Sequence, residues 1–67
     1  MIVGIIGSGG REHAICYSLS KSKKISKIYC FPGNAGTYDI AENVNINFDD
    51  FKKIKDFKLE KNIDLIV

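Results

Sequence analysis

The chain has 67 residues, of which 45% are hydrophobic and 27% charged, and its formal net charge is +2. This charge is too small to indicate a nucleic-acid partner by itself, and no apolar run is long enough to span a membrane. No basic segment precedes the first apolar run, so a signal peptide is not indicated and a cytoplasmic protein is expected. An α/β domain of this length has a thin margin of stability.

The two cysteines, Cys16 and Cys30, form no Cys-x-x-Cys pair, and the chain has a single histidine. These residues are too few for a zinc site, and we predict no metal ligands. We interpret both cysteines as buried, reduced thiols, with a disulfide or a reactive thiol as the alternative.

The first half of the chain predicts strand, helix and strand. Residues 2–6 are mostly β-branched and lack polar alternation, which is typical of a strand covered on both faces. After a glycine-rich stretch, the apolar spacing over residues 11–20 favours a helix. The lysine-rich residues 20–27 are interpreted as a solvated turn, and residues 27–31 as a second strand that Pro32 ends.

The second half predicts a helix and a further strand. A helix is expected over residues 50–62, with three apolar side chains on its inner face: Phe51, Ile54 and Phe57. Asn47 and Asp49 are both suitable as its N-cap residue. The segment before this helix is irregular, with room for a short strand around Val44. Residues 64–67 begin a third apolar strand.

The resulting order, β-α-β-loop-α-β, predicts an α/β fold with parallel strands and right-handed crossovers. It corresponds to a Rossmann-like half-unit that is truncated at its third strand. Because Val67 falls within an apolar strand, we expect residues 1–67 to be one segment of a longer protein.

Glycines gather after both of the first two predicted strands, in "GSGGREH" and "PGNAG". Ligands of open α/β sheets bind at the carboxyl edge, where these loops would lie side by side. Glycines let a ligand approach the backbone, and the following helix presents free N–H groups and a partial positive charge. We therefore expect both loops to line one crevice that suits a small anionic ligand. A tight, packed turn without any ligand is the alternative.

The first loop departs from the dinucleotide fingerprint G-x-G-x-x-G. Gly7 and Gly9 match it, but Glu12 stands where the third glycine belongs. No acidic residue ends the second strand, and the first one after it is Asp39, so a partner for a ribose 2′-hydroxyl is also missing. Both departures disfavour dinucleotide binding.

The polar residues of the loops allow two interpretations each. Arg11 opposes the helix dipole unless an anion binds there, and its guanidinium suits phosphate; otherwise it points to solvent or pairs with an acid. Glu12 suits a helix N-terminus with or without a ligand. His13 is interpreted as locally packed, with no acid–base role. Asn34 either offers its amide to a ligand or serves as a left-handed turn residue.

Together, "IIGSGGREHA" and the later "FPGNAGT" resemble the amino terminus of the phosphoribosylamine–glycine ligase family, also called glycinamide ribonucleotide synthetase. The final segment, "INFDDFKKIKDF" through "NIDLIV", is similar to the next helix and strand of that family. The resemblance extends over essentially the whole chain, but only over the start of the family's full length.

The resemblance implies an ATP-dependent ligase that joins glycine to 5-phosphoribosylamine in purine biosynthesis. It implies that ATP and Mg²⁺ or Mn²⁺ bind to ATP-grasp domains downstream, and that this segment alone is inactive and holds no catalytic residue. Its expected partners are these small-molecule substrates, with no nucleic acid and no membrane, and the oligomeric state stays open. The implied substrate crevice comprises Gly7, Ser8, Gly9, Gly10, Arg11, Glu12, His13, Pro32, Gly33 and Asn34.

Three other functions stay open at this point. The chain could belong to an oxidoreductase as its dinucleotide-binding module, or act as a non-catalytic interaction fragment through the open edge of its last strand. A related ATP-grasp ligase with a different substrate is the third.

Overall fold

Four parallel strands form a single sheet in the computed structural model, which describes residues 1–67. The strands are β1 (Ile2–Gly7), β2 (Lys27–Pro32), β3 (Glu42–Asn43) and β4 (Leu65–Ile66). Their order across the sheet is β3-β2-β1-β4. The helices are α1 (Gly10–Ser20), α2 (Ala35–Tyr38) and α3 (Phe51–Lys61). The predicted α/β, Rossmann-like class with parallel strands is confirmed.

Pairing between β1 and β2 places the two glycine-rich loops beside each other. The register runs from Ile2 opposite Lys27 to Gly7 opposite Pro32, so both strands end at the same level. The loops that follow Gly7 and Pro32 therefore both start at the carboxyl edge of the sheet.

Alternate residues of the central strands face two separate apolar clusters. Val3 and Ile5 of β1 join Cys16 of α1 on one side, together with the β2 residues Ile28 and Cys30. Phe31 of β2 joins Ile54 of α3 and Ile63 on the other side. Burial on both faces explains why the strands lack polar alternation.

Gly4 lets the second of these clusters pack closely. A Cβ at this position would lie 2.7 Å from Cδ1 of Ile66 and 2.9 Å from Cε2 of Phe31. Both contacts are too short, so the absence of a side chain in the middle of β1 lets the side chains of β2 and β4 meet across it.

The structure contains two short elements between β2 and α3 that differ from the prediction. Helix α2 is not among the predicted elements. The short strand expected around Val44 is present as Glu42–Asn43, and the amide of Val44 donates to the carbonyl of Cys30 at 2.8 Å. Strand β3 makes the last strand the fourth of the sheet, one more than the three strands counted without it. Pro32 is the final residue of β2, where a missing N–H is tolerated.

The start of α3 also differs from the prediction. Its N-cap residue is Asp50, whose Oδ1 accepts a hydrogen bond from the amide of Lys53 at 3.3 Å; neither Asn47 nor Asp49 caps it. Ile54 is buried, whereas Phe51 is 70% exposed. Phe51 is the first helical residue, and its side chain lies outside the stripe that packs on the sheet.

Cys16 and Cys30 are free thiols with fully buried side chains, which confirms their interpretation. Desolvation by burial raises the pKa of both thiols, and that of Cys30 reaches about 12 because the neighbouring Cys16 adds to the effect. None of the helices has the length and apolar character that crossing a lipid bilayer requires.

Candidate functional site

The first glycine loop, residues 7–10, turns the chain from β1 into α1. Gly7 has a φ of 133°, a conformation that residues with side chains rarely adopt. A Cβ there would also lie 2.6 Å from Cδ of Glu12. Glycine is therefore required at this position both by the backbone and by the side chain that packs over it.

The first amides of α1 are free to bind a ligand. Gly9 is the N-cap residue and provides no side-chain cap, and the first hydrogen bond of the helix joins the amide of His13 to the carbonyl of Gly9 at 3.1 Å. The amides of Gly10, Arg11 and Glu12 consequently have no partner within the helix. They present N–H groups at the positive end of the helix dipole, an arrangement that favours anions.

The second glycine loop, residues 32–36, is joined to the first by hydrogen bonds. The side-chain amide of Asn34 donates to the carbonyls of Ser8 at 2.8 Å and Gly9 at 3.2 Å. The backbone amide of Gly33 donates to the carbonyl of Gly7 at 3.1 Å. The structure therefore brings the two loops together, with Asn34 as the residue that connects them.

Asn34 also begins α2, and this role replaces the expected left-handed turn. Its φ of −149° is extended, and its Oδ1 accepts from the amide of Thr37 at 3.0 Å while the Thr37 hydroxyl accepts from the amide of Asn34 at 2.8 Å. Both N–H groups of the Asn34 side chain already have acceptors in the first loop. Its side chain is therefore built into the loops, and a ligand that needed these donors would have to displace the carbonyls.

A network of hydrogen bonds joins the second loop to α2 and β3. Thr37 is fully buried and its hydroxyl lies 2.7 Å from Oδ1 of Asn43, whose Nδ2 donates to the carbonyl of Asn34 at 2.8 Å. Gly33, with a φ of 77°, lies against both side chains, since a Cβ there would be 2.7 Å from Oγ1 of Thr37. The network shows why α2 and β3 form where local sequence patterns are weak.

His13 and Arg11 occupy different environments at the start of α1. The imidazole of His13 packs on Gly36, where a Cβ would lie 2.6 Å from Nδ1. This contact agrees with the interpretation of His13 as a packed residue. Arg11 is exposed and forms no ion pair, so its guanidinium is free.

A pocket of about 210 Å³ opens beside the first loop. Its lining residues are Ile6, Gly7, Ser8, Gly9, Glu12 and Phe48. Phe48 was not predicted, because it belongs to the irregular segment before α3 and no local pattern places that segment near β1. The pocket is not lined by Pro32, Gly33 or Asn34. Gly33 and Asn34 instead donate hydrogen bonds to carbonyls of the first loop.

A second pocket, of about 320 Å³, lies at the opposite end of β2 and is formed by Ser20, Ile25, Ser26, Lys27, Ile28, Ile40 and Ala41. Although it is larger, it contains no glycine loop, and the ammonium of Lys27 is already paired with Glu42 at 3.0 Å. The smaller pocket therefore is the candidate site.

The parallel sheet, the glycine loops at adjacent strand ends and the free helix N-terminus beside them define a Rossmann-like domain. The family described as phosphoribosylglycinamide synthetase, N domain, matches residues 1–67, and the chain belongs to it. The resemblance to this family that "GSGGREH" and "PGNAG" carry is thereby confirmed.

Curated relatives agree with this assignment. The phosphoribosylamine–glycine ligases of Caldanaerobacter subterraneus subsp. tengcongensis and Clostridium acetobutylicum are 49% and 40% identical to this chain over 67 residues. A bifunctional purine biosynthetic protein of Schizosaccharomyces pombe is 43% identical over 72 residues. The chain is covered completely in each case, but it spans 16% of each ligase and 9% of the bifunctional protein.

Proposed function

We propose that residues 1–67 form the substrate-binding, amino-terminal domain of an ATP-dependent, cytoplasmic ligase that joins glycine to 5-phosphoribosylamine in purine biosynthesis. The observation that carries this proposal is the match of the whole chain to the N-domain family, together with relatives named phosphoribosylamine–glycine ligase. The structure supports it with a pocket at the carboxyl edge of the sheet, next to free amides.

The phosphate of the sugar phosphate is proposed to bind at the N-terminus of α1. The amides of Gly10, Arg11 and Glu12 would donate to its oxygens, and the exposed guanidinium of Arg11 would supply positive charge. Asn34 would act indirectly, because it fixes the carbonyl side of the first loop. Pro32 and Gly33 likewise position this loop and are not expected to contact the ligand themselves.

The contribution of this domain to the reaction is positioning. Holding one reactant in a fixed orientation removes much of the entropic barrier to a reaction between two molecules. Residues 1–67 contain no group of three or more side chains suited to a metal ion. Because the chain spans only 16% of the ligases that it resembles, we propose that ATP and its Mg²⁺ or Mn²⁺ bind outside residues 1–67, and we assign no catalytic residue to this domain.

Titration of the ¹⁵N-labelled chain with ribose 5-phosphate tests the binding site. We expect the amide signals of residues 8–12 to shift, and Arg11→Ala to weaken binding by about tenfold through the loss of one charge-assisted contact. Lys23→Ala removes one positive charge from the turn that follows the opposite end of α1 and should leave the affinity unchanged. Shifts confined to residues 20–27, or equal losses in both variants, would contradict the proposed site.

The reaction itself is tested on the full protein that carries this segment. Release of ADP should require glycine and 5-phosphoribosylamine together. Release with either substrate alone, or with a different amine in place of phosphoribosylamine, would contradict the proposed activity and favour a related ligase.

A further inference from the structure

The carboxylate of Glu12 suits the positive end of the α1 dipole, but the protein gives its oxygens no hydrogen-bond donor. This carboxylate folds back over the first loop, so that its Oε2 would be 3.4 Å from a Cβ at Gly9 and its Cδ 2.6 Å from one at Gly7. The side chain is half-buried, lines the pocket of about 210 Å³, and has neither a hydrogen-bond donor nor an ion-pair partner in the protein. A negative charge beside the proposed phosphate site repels phosphate.

The same carboxylate is well suited to hydroxyl groups. An ionised carboxylate only accepts hydrogen bonds, and its two oxygens accept from two neighbouring O–H donors. A sugar presents two such donors on adjacent carbons, whereas the doubly ionised phosphate group of a sugar phosphate presents none. The free carboxylate of Glu12 therefore has the chemistry to recognise the ribose part of a sugar phosphate.

Phe48 supplies the apolar wall that this recognition needs. Its side chain lines the same pocket and is 57% exposed, so the ring is accessible to a ligand. The C–H face of a sugar packs well on an aromatic ring. A volume of about 210 Å³ is small for a ligand pocket and suits a single small polyol better than a dinucleotide.

We propose that Glu12 and Phe48 form a sugar-hydroxyl subsite that makes the domain selective for a ribose phosphate over bare phosphate. This inference rests on the proposed function for the presence of a sugar phosphate, but it assigns the ribose contacts to these two side chains. Glu12 accepts hydrogen bonds from ribose hydroxyls, and Phe48 packs on the ring. The phosphate stays at the free amides of α1.

Calorimetric titration with ribose 5-phosphate and, separately, with inorganic phosphate tests the subsite. Glu12→Gln keeps the shape of the side chain but removes its charge, so it should weaken ribose 5-phosphate by about tenfold. The same substitution should bind inorganic phosphate at least as tightly as the wild type, because the repulsion is gone. Phe48→Leu should weaken only ribose 5-phosphate, by about threefold to tenfold.

Two matched controls lie outside the pocket on α3. Glu60→Gln and Phe51→Leu change the same residue types at exposed positions and should leave both affinities unchanged. Phe48 is exposed, so its substitution is not expected to disturb folding, and the proposal is testable even if Glu12→Gln unfolds the chain.

The outcomes separate this inference from the proposed function. If ribose 5-phosphate shifts the amides of residues 8–12 but neither pocket variant weakens it, the subsite is refuted and the phosphate site stands. A parallel loss of ribose 5-phosphate and inorganic phosphate in Glu12→Gln would also refute the subsite. If the wild type binds no ribose 5-phosphate, both proposals are overturned.

Discussion

The side chain of Asn34 makes three hydrogen bonds, more than any other side chain of the two glycine loops. Its Nδ2 faces the carbonyls of Ser8 and Gly9, and its Oδ1 caps α2. Asn34→Asp keeps the capping oxygen but turns a second oxygen towards these two carbonyls. We expect this variant to lower the free energy of unfolding by about 1–3 kcal/mol, because two donors are replaced by a repelling acceptor.

Urea-induced unfolding followed by circular dichroism measures this effect. Asn45→Asp is the matched control, since Asn45 is exposed and its side chain makes no hydrogen bond. Equal stability of Asn34→Asp and Asn45→Asp would show that the bridge between the loops contributes nothing to the fold.

At the scale of the element, the structure distinguishes two adjacent aspartates at the start of α3. Asp50 caps the helix, whereas Asp49 makes no side-chain hydrogen bond. Asp50→Ala should lower the free energy of unfolding by about 1 kcal/mol, as the loss of an N-cap usually does. Asp49→Ala removes the same charge one residue earlier and should have little effect; a larger effect for Asp49 would assign the cap to the wrong residue.

The packing of α1 on α2 gives a second prediction at this scale. Gly36→Ala places a methyl group against the imidazole of His13, so it should destabilise the wild type by about 1–3 kcal/mol. In a His13→Ala background the clash is gone, and the same substitution should stabilise by about 0.4–1 kcal/mol because alanine restricts the unfolded chain. A double-mutant cycle with unfolding free energies checks this reversal, and additive effects would contradict the contact.

These elements show what local sequence patterns predict and what they miss. Apolar runs and periodicity predict the strands β1 and β2 and the helices α1 and α3. Each of these segments shows in its own residues which positions are buried. Helix α2 and strand β3 depend on Thr37 and Asn43 contacting Asn34, partners that only the folded chain brings together. Backbone geometry makes Asp50 the N-cap of α3. Residue type does not predict this choice, because Asn47 and Asp49 are equally suitable caps.

For the molecule as a whole, parallel pairing of the first two strands predicts that the two glycine loops are neighbours. It does not predict which residues line the pocket. Glycines after two successive strands indicate a shared edge, and the structure places them there. Phe48 reaches the pocket that Glu12 lines because of the path that residues 44–50 take to the sheet edge. No periodicity in the sequence predicts that path, so the sequence does not indicate that Phe48 lines the candidate site.

Ionisation of the two buried thiols, Cys16 of α1 and Cys30 of β2, makes the stability of the whole fold depend on pH. Their pKa values are raised in the folded state above the ordinary thiol value, that of Cys30 to about 12. The unfolded chain therefore loses protons first as the pH rises above about 8.5, and the folded state loses stability over that range. Below this pH the thiols are protonated in both states and contribute no pH dependence.

Comparison of the wild type with Cys30→Ala isolates this contribution from the titration of lysines and tyrosines. The stability advantage of the wild type should be constant between pH 6 and pH 8, then fall between pH 9 and pH 10.5 by up to about 1.4 kcal/mol per pH unit. Urea unfolding at each pH measures the difference, and the packing defect left by alanine enters as a constant offset. A difference that stays constant to pH 10.5 would mean that Cys30 ionises as easily in the folded chain as in the unfolded one, which is incompatible with a thiol sealed between α1 and the sheet.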